Sequence, residues 1–207
     1  MITGHPVDDW GKLEDLKIPE GPSPDMRLFE RMQWIRGYAN LMIDFATGEW
    51  AKLDKLASMI MEHNSRTVQE AIRTGKEMVY FQDDWGTQTS LMISPTMWRS
   101  FFKPKYAEMF RPAKEAGLLV HLHSDGYIID ILPDLHEIGV DVINLQTNCH
   151  DAVRLGDLCR DLELCISADM DRQGTLSFGL PTDVRAYFDK IANAIGDKRG
   201  GLLFSVE

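Results

Sequence analysis

The stretch Leu118-Leu119-Val120-His121-Leu122-His123-Ser124-Asp125-Gly126 decides the fold. Its apolar residues run on without the alternation of a half-exposed strand, and it ends in a polar cluster. That is the signature of a strand buried on both faces, as in a parallel sheet. Working outward, four more short apolar runs end in the same way. Met78-Val79-Tyr80-Phe81 leads to Gln82-Asp83-Asp84, and Val140 to Leu145 leads to Gln146 and Asn148. Leu164 to Ser167 leads to Asp169 and Asp171, and Leu202 to Val206 leads to Glu207. Helical patterns fill the gaps between them. Ser94-Pro95 reads as an N-cap followed by proline at the first helical position. The helix it opens carries Met97, Phe101, Tyr106 and Phe110, is kinked or broken at Pro104 and Pro112, and stops at Gly117. Further helices are expected from Tyr127 to Ile138, from Asp151 to Leu162, and after a Thr182 cap through Ile195.

Strand–helix–strand repetition fits an open doubly wound sheet or a barrel. No G-x-G-x-x-G follows any strand, so nothing favours a dinucleotide site. An open sheet concentrates its site at one switch point, whereas a (β/α)8 barrel assembles it from the ends of many strands. Polar clusters at all five strand ends favour the barrel. Upstream, Leu28, Met32, Ile35, Leu41, Ile43 and Phe45 mark a first helix interrupted at Gly48. Leu53, Leu56, Ile60, Val68 and Ile72 mark a second that stops at Gly75. Residues 1–27, with Pro6, Pro19, Pro22 and Pro24, read as an irregular segment, and residues 28–207 as the barrel domain.

Composition narrows the classes. With 44% hydrophobic and 26% charged residues the chain is an ordinary globular one, which excludes disorder as its main state. A net charge of −10 argues against nucleic acid and anionic membrane surfaces, both of which need a positive field. No apolar run approaches the ~20 residues of a membrane span. Met1 to Pro6 lacks a signal-peptide pattern. Three scattered cysteines make no disulfide framework, which points to a reducing cytoplasm.

In an extended strand, residues 121, 123 and 125 share one face. Two imidazoles and a carboxylate there suit a metal, with His123 and Asp125 as ligands. They equally suit proton transfer, with Asp125 tuning a histidine. The structural alternative is a satisfied core His121 and an Asp125 that caps the next helix. Asp84 shares a face with Gln82, and Asp83 with Phe81. Asp84 can orient an N–H-bearing substrate or add a metal oxygen, or simply serve its own turn. Asp169 and Asp171 are two same-face carboxylates, one of which can pair with Arg172. Gln146 and Asn148 are uncharged groups able to fix a substrate amide or carboxylate. Cys149 lies in a loop near the site, and an inert free thiol is the default for all three cysteines.

Taken in order, these stretches resemble the uroporphyrinogen decarboxylase superfamily. The resemblance rests on Gln82-Asp83-Asp84-Trp85-Gly86-Thr87-Gln88, on Ser94-Pro95 through Trp98-Arg99 to Lys103-Pro104-Lys105-Tyr106, and on His121 to Gly126. It continues through Ile131 to Leu135, Gly139 to Asn144, Asp169 to Leu176 and Gly179 to Val184. It implies a (β/α)8 barrel with its site at the C-terminal mouth. The five strands then read as the fourth to the eighth. Such a barrel needs about 250 residues, so about three strands are missing in front. The chain is expected to be an incomplete barrel, a fragment, with exposed edges that invite a homodimer.

The resemblance implies two chemistries. Decarboxylases remove acetate carboxyl groups from a tetrapyrrole in porphyrin biosynthesis without a cofactor. Corrinoid-linked relatives move a methyl group between methylcobalamin and a thiol held by zinc. The His-x-Cys motif of the latter falls on His123 and Asp125, with a carboxylate in place of the thiolate. The essential aspartate and N-terminal basic residues of the decarboxylases find no counterpart. The expected function is therefore corrinoid-dependent methyl transfer, with the corrinoid on a separate carrier protein. A small-molecule substrate is expected, and no nucleic acid or membrane partner. Asp84, His123 and Asp171 are the expected catalytic residues, and Gln82, Asp83, Gln146 and Asp169 the expected substrate contacts. His123 and Asp125 are expected to hold the metal, assisted by Asp84 or Glu207. Tetrapyrrole decarboxylation and an inactive truncated barrel stand as alternatives.

Overall fold

Apolar residues at every second strand position need a cover on one side of the sheet, and the intervening helices supply it. The structure, a computed structural model, describes residues 9–11, 26–196 and 200–205. Five strands form one sheet: β1 (Met78–Gln82), β2 (Leu119–Ser124), β3 (Val142–Leu145), β4 (Cys165–Asp169) and β5 (Leu202–Ser205). All four pairings are parallel, and the spatial order is the chain order. With parallel neighbours in chain order, the right-handed crossover rule places the connecting helices on one side of the sheet. A doubly wound sheet would reverse its order, and no reversal occurs among the described strands. The result is an α/β fold whose five-stranded parallel sheet is flanked by helices, in the arrangement of a partial barrel.

Three helices precede the sheet: α1 (Phe29–Arg36), α2 (Tyr38–Thr47) and α3 (Trp50–Arg73). The expected single helix from Leu28 to Phe45 is thus two. Gly37, at φ 82° and ψ 134°, breaks it, and Ile43 faces solvent. Ser94 caps α4 (Pro95–Met97) as expected, accepting from Met97 N at 3.1 Å. A π-helical turn at Trp98–Phe102 leads into α5 (Lys103–Glu115). Pro104 sits in the first turn of α5, where no partner for its nitrogen is needed, and Pro112 lies inside without ending it. The helix expected over 127–138 is reduced to a 3-10 turn (Ile129–Ile131) and α6 (Leu132–Glu137). A 3-10 turn (Thr147–Cys149) precedes α7 (Ala152–Asp161), which Asp151 caps through Arg154 N at 2.8 Å. Short α8 (Thr175–Phe178) follows β4, then α9 (Pro181–Ile195). Thr182 does not cap α9. Leu180 precedes the helix, and its N–H donates to the Asp183 carboxylate at 2.8 Å.

The outer face of the sheet carries Val79, Phe81, Val120, Leu122, Ile143, Leu145, Ile166 and Ala168, all buried against helices. At one end of the core an aromatic group closes over the first strand. Phe29 stacks on Trp85 at 4.3 Å, and Trp85 meets Phe102 edge-on at 4.6 Å. Met26, within the stretch read as irregular, is buried and bridges to Phe81, with Gln82 N donating to Met26 O at 3.1 Å. The inner face is layered by the register. Tyr80, His121, Val142 and Cys165 form one row, and Gln82, His123, Asn144, Ser167 and Leu203 the next. Met78, Leu119 and Leu203 on this face are exposed. Val206 and Glu207 lie outside the described residues.

Candidate functional site

Two loops make the site, and the backbone sews them together. Asp83 N donates to His123 O at 2.9 Å, Trp85 N to Ser124 Oγ at 3.1 Å, and Gly86 N to Asp125 O at 3.2 Å. In return Asp125 N donates to Asp84 Oδ1 at 2.9 Å and Tyr127 N to Thr87 O at 2.7 Å. Both glycines are required for this closeness. A Cβ on Gly126, itself at φ +80°, would sit 2.3 Å from Gly86 C, and one on Gly86 would sit 2.4 Å from Tyr127 N.

The seam brings Asp84, His123 and Asp125 together, each offering one ligand atom within 4.8 Å of the others. His123 Nε2 lies 3.6 Å from Asp84 Oδ1 and 3.7 Å from Asp125 Oδ1. Arg172 Nη2 donates to Asp125 Oδ1 at 3.1 Å and lies 3.9 Å from Asp169 Oδ2. Burial, then the charge of Asp84, pushes the Asp125 carboxyl above its ordinary range, against the opposing pull of His123 and Arg172. Glu30, from the first turn of α1, stands beside Asp84, and burial followed by the Asp84 charge raises its carboxyl too. Crowded carboxylates of this kind favour a cation among them.

The other expected residues fall in several places. Asp83 turns the opposite way from Asp84 and is fully buried. It accepts from Leu28 N at 2.6 Å, Phe29 N at 2.7 Å, Glu30 N at 2.7 Å and the Tyr106 hydroxyl. It therefore anchors the N-terminus of α1 rather than facing the mouth. Burial pushes its carboxyl up to about 7, against the pull of these donors. Gln82 accepts from Arg27. Gln146 Oε1 accepts from Gly126 N at 3.2 Å and Gln88 Nε2 at 3.4 Å, steadying the loop that carries Asp125. Asp169 is buried behind the cluster and accepts from Asn144 Nδ2 at 2.8 Å and from the Ser205 hydroxyl. Asp171 collects Gln173 N at 3.1 Å, Gly174 N at 3.0 Å and Thr175 N at 2.9 Å, capping α8. Asn148 Nδ2 reaches Asp171 only at 3.5 Å. His121 lies one row below, stacked on Tyr80 at 4.5 Å. Cys149 Sγ rests against Gln146 Oε1 at 3.3 Å and stays outside the ligand cluster.

Sequence reasoning missed Asn144 and Glu30, and saw Arg172 only as a structural partner. Asn144 left a signal: it is a lone amide inside Val142-Ile143-Asn144-Leu145 and pairs in register with His123. Glu30 left none, because only the packing of α1 brings it to β1.

Fold and site together define an α/β protein with parallel strands in barrel order and a polar site across the strand ends. Residues 34–206 match the model of the uroporphyrinogen decarboxylase (URO-D) family, and the chain belongs to that family. Among solved structures, a methyltransferase from Methanosarcina mazei is similar, with a TM-score of 0.67 at 13% identity. That match covers 95% of this chain and 55% of the other. An N-acetylneuraminic acid (sialic acid) synthetase from Leptospira borgpetersenii serovar Hardjo-bovis, in complex with citrate, aligns at a TM-score of 0.45 and 12% identity. It covers 70% of this chain and 48% of the other. The chain thus spans about half the length of these structures. No curated protein matches it. Among the described residues no helix is long and apolar enough to cross a membrane.

Proposed function

We propose that this chain is the metal-binding part of a corrinoid-dependent methyltransferase, built as the fourth to eighth strands of a (β/α)8 barrel over residues 28–207. The observation that carries the reading is the Asp84–His123–Asp125 cluster. Tetrahedral zinc with bonds of about 2.0–2.2 Å sets its ligand atoms about 3.4 Å apart; His123 Nε2 stands 3.6 and 3.7 Å from the two carboxylates, and all three atoms lie within 4.8 Å of one another. Three protein ligands leave one position open, the pattern of catalytic rather than structural zinc. A bound divalent ion would supply Lewis acidity, lowering the pKa of an acceptor thiol so that it reacts as thiolate.

The chain's own residues do the rest. Asp84 contributes one carboxylate oxygen and holds the Asp125 backbone. Arg172 offsets part of the negative charge of Asp125 and Asp169. Gln146 fixes the loop. The methyl donor is a corrinoid presented by a separate carrier protein in the cytoplasm. The likeness to a structure named a methyltransferase supports this reading. So does the charge of the mouth: Glu30, Asp84, Asp125 and Asp169 outnumber Arg27 and Arg172 beside them, a balance that disfavours the carboxylates of a tetrapyrrole.

Zinc titration of the purified chain is the test. Binding of one equivalent by the wild type, lost in His123→Ala together with methyl transfer from methylcobalamin to a thiol, is the expected result. Absence of stoichiometric zinc, with His123→Ala as active as wild type, would remove the reading. Because burial and Asp84 raise the Asp125 carboxyl, protons should compete with zinc at a higher pH than an ordinary carboxylate allows.

A further inference from the structure

Asn144 is almost wholly buried in the third strand, beside the candidate ligand His123. Its side-chain amide has four hydrogen-bonding positions, two donors on nitrogen and two lone pairs on oxygen. Nδ2 lies 2.8 Å from the backbone carbonyl of Ser167 and 2.8 Å from Asp169 Oδ1. A backbone carbonyl is always an acceptor, and an ionised carboxylate is one too. Both donors of the amide are therefore committed, and its orientation is fixed. The Ser205 hydroxyl binds the same Asp169 oxygen and braces the carboxylate from the far strand.

What remains for His123 is the amide oxygen. Asn144 Oδ1 meets His123 Nδ1. An amide oxygen only accepts, so Nδ1 carries the hydrogen. In the neutral imidazole Nε2 is then the bare nitrogen, and Nε2 is the atom that faces Asp84 Oδ1 and Asp125 Oδ1. We infer that Asn144 is a positioning residue: held by Ser167 and Asp169, it locks His123 as the Nδ1–H tautomer and aims the Nε2 lone pair between the two carboxylates. Three lone-pair-bearing atoms then face one another, an arrangement that a cation between them would stabilise. Metal-binding histidines are commonly oriented in this way by an acceptor on the second ring nitrogen. The inference rests on the proposed metal site for its purpose, but the tautomer itself is a property of the metal-free chain.

The experiment uses the full chain with 15N-labelled histidine. Nitrogen–carbon correlation spectra of the metal-free protein, at alkaline pH where imidazole is neutral, report the tautomer of each ring. The His123 signals are those missing in His123→Ala. Wild-type His123 should carry its hydrogen on Nδ1. Asn144→Leu, which removes the acceptor at similar volume, should give a tautomer mixture and weaken zinc binding by about 10–100-fold. A wild-type His123 protonated on Nε2 overturns the inference, and so does an Asn144→Leu chain with tautomer and zinc affinity unchanged. If Asn144→Leu fails to fold, the wild-type spectrum still decides. Zinc uptake unaffected by His123→Ala would overturn the metal reading alone, leaving the tautomer to judge Asn144 separately.

Discussion

The two faces of the second strand are a residue apart and obey different rules. Leu122 and Val120 point outward and have no exposed surface, because helices close over them. His121, His123 and the following Asp125 point inward, where the neighbours are Tyr80, Asn144, Asp84 and Arg172. On the outer face the only requirement is to fill volume, and any apolar side chain of suitable shape would serve. On the inner face each polar atom needs a named partner, and the partner determines what the atom can do. Adjacent Asp83 and Asp84 repeat the lesson. The outward carboxylate is consumed by three backbone N–H groups and a tyrosine, while the inward one is left to face a histidine.

The sharpest way to break this comparison is to truncate neighbours on opposite faces. Leu122→Ala leaves a cavity in a fully buried layer and should cost about 2–5 kcal/mol of stability. His123→Ala should destabilise less, by about 1–3 kcal/mol for the buried Asn144 oxygen left without its donor, while abolishing zinc binding. Urea unfolding of the two variants measures this directly. Equal destabilisation would show that the inner face is also core.

The inner face should also respond to pH where the outer face cannot. Burial, then the nearby His123, lowers the His121 imidazole from 6.5 to about 4. Between those values the unfolded chain binds a proton that the folded chain refuses, so stability falls as pH drops from about 6.5 towards 4. The loss is at most about 3 kcal/mol once pH lies below both values, and above 6.5 this contribution vanishes. His121→Phe should flatten that part of a melting-temperature profile between pH 4 and 7. A profile of unchanged slope would mean that another group is responsible.

Much of this was legible in the sequence, for a physical reason. All five strands lie within two residues of the positions read from the sequence, because each is a continuous apolar run, although Met78, Leu119 and Leu203 on the inner face are exposed. The polar strand ends were equally visible, and they placed His123 and Asp125 on one wall. What the sequence hid depends on packing between distant segments. Apolar spacing continues from Leu28 to Phe45 through Gly37, so periodicity reads one helix where the backbone makes two. Alternation separated Asp83 from Asp84, but only the arrival of α1 fills the Asp83 side with donors. Asn144 looks like a flaw in an apolar strand until its register partner is known to be His123.

Asp171 brings the comparison down to its finest grain, since it sits at the mouth and shares its strand-end cluster with Asp169. Its expected role was catalytic. Its oxygens, however, accept from three backbone N–H groups and the Thr175 hydroxyl at 3.0 Å. Burial pushes its carboxyl up, and the bonds from Thr175, Gly174 and Gln173 outweigh that and leave it below the ordinary range. A carboxylate so occupied is a poor proton carrier and a good helix cap. Asp171→Ala should therefore cost about 1 kcal/mol, the ordinary loss for a capping residue, and leave zinc stoichiometry intact. Its stabilising effect is present above the unfolded carboxylate pKa and lost as pH falls through the lowered folded value. Asp125→Ala, by contrast, should abolish zinc binding. If Asp171→Ala removed zinc binding as well, the division of the mouth into capping and ligand-bearing carboxylates would fail.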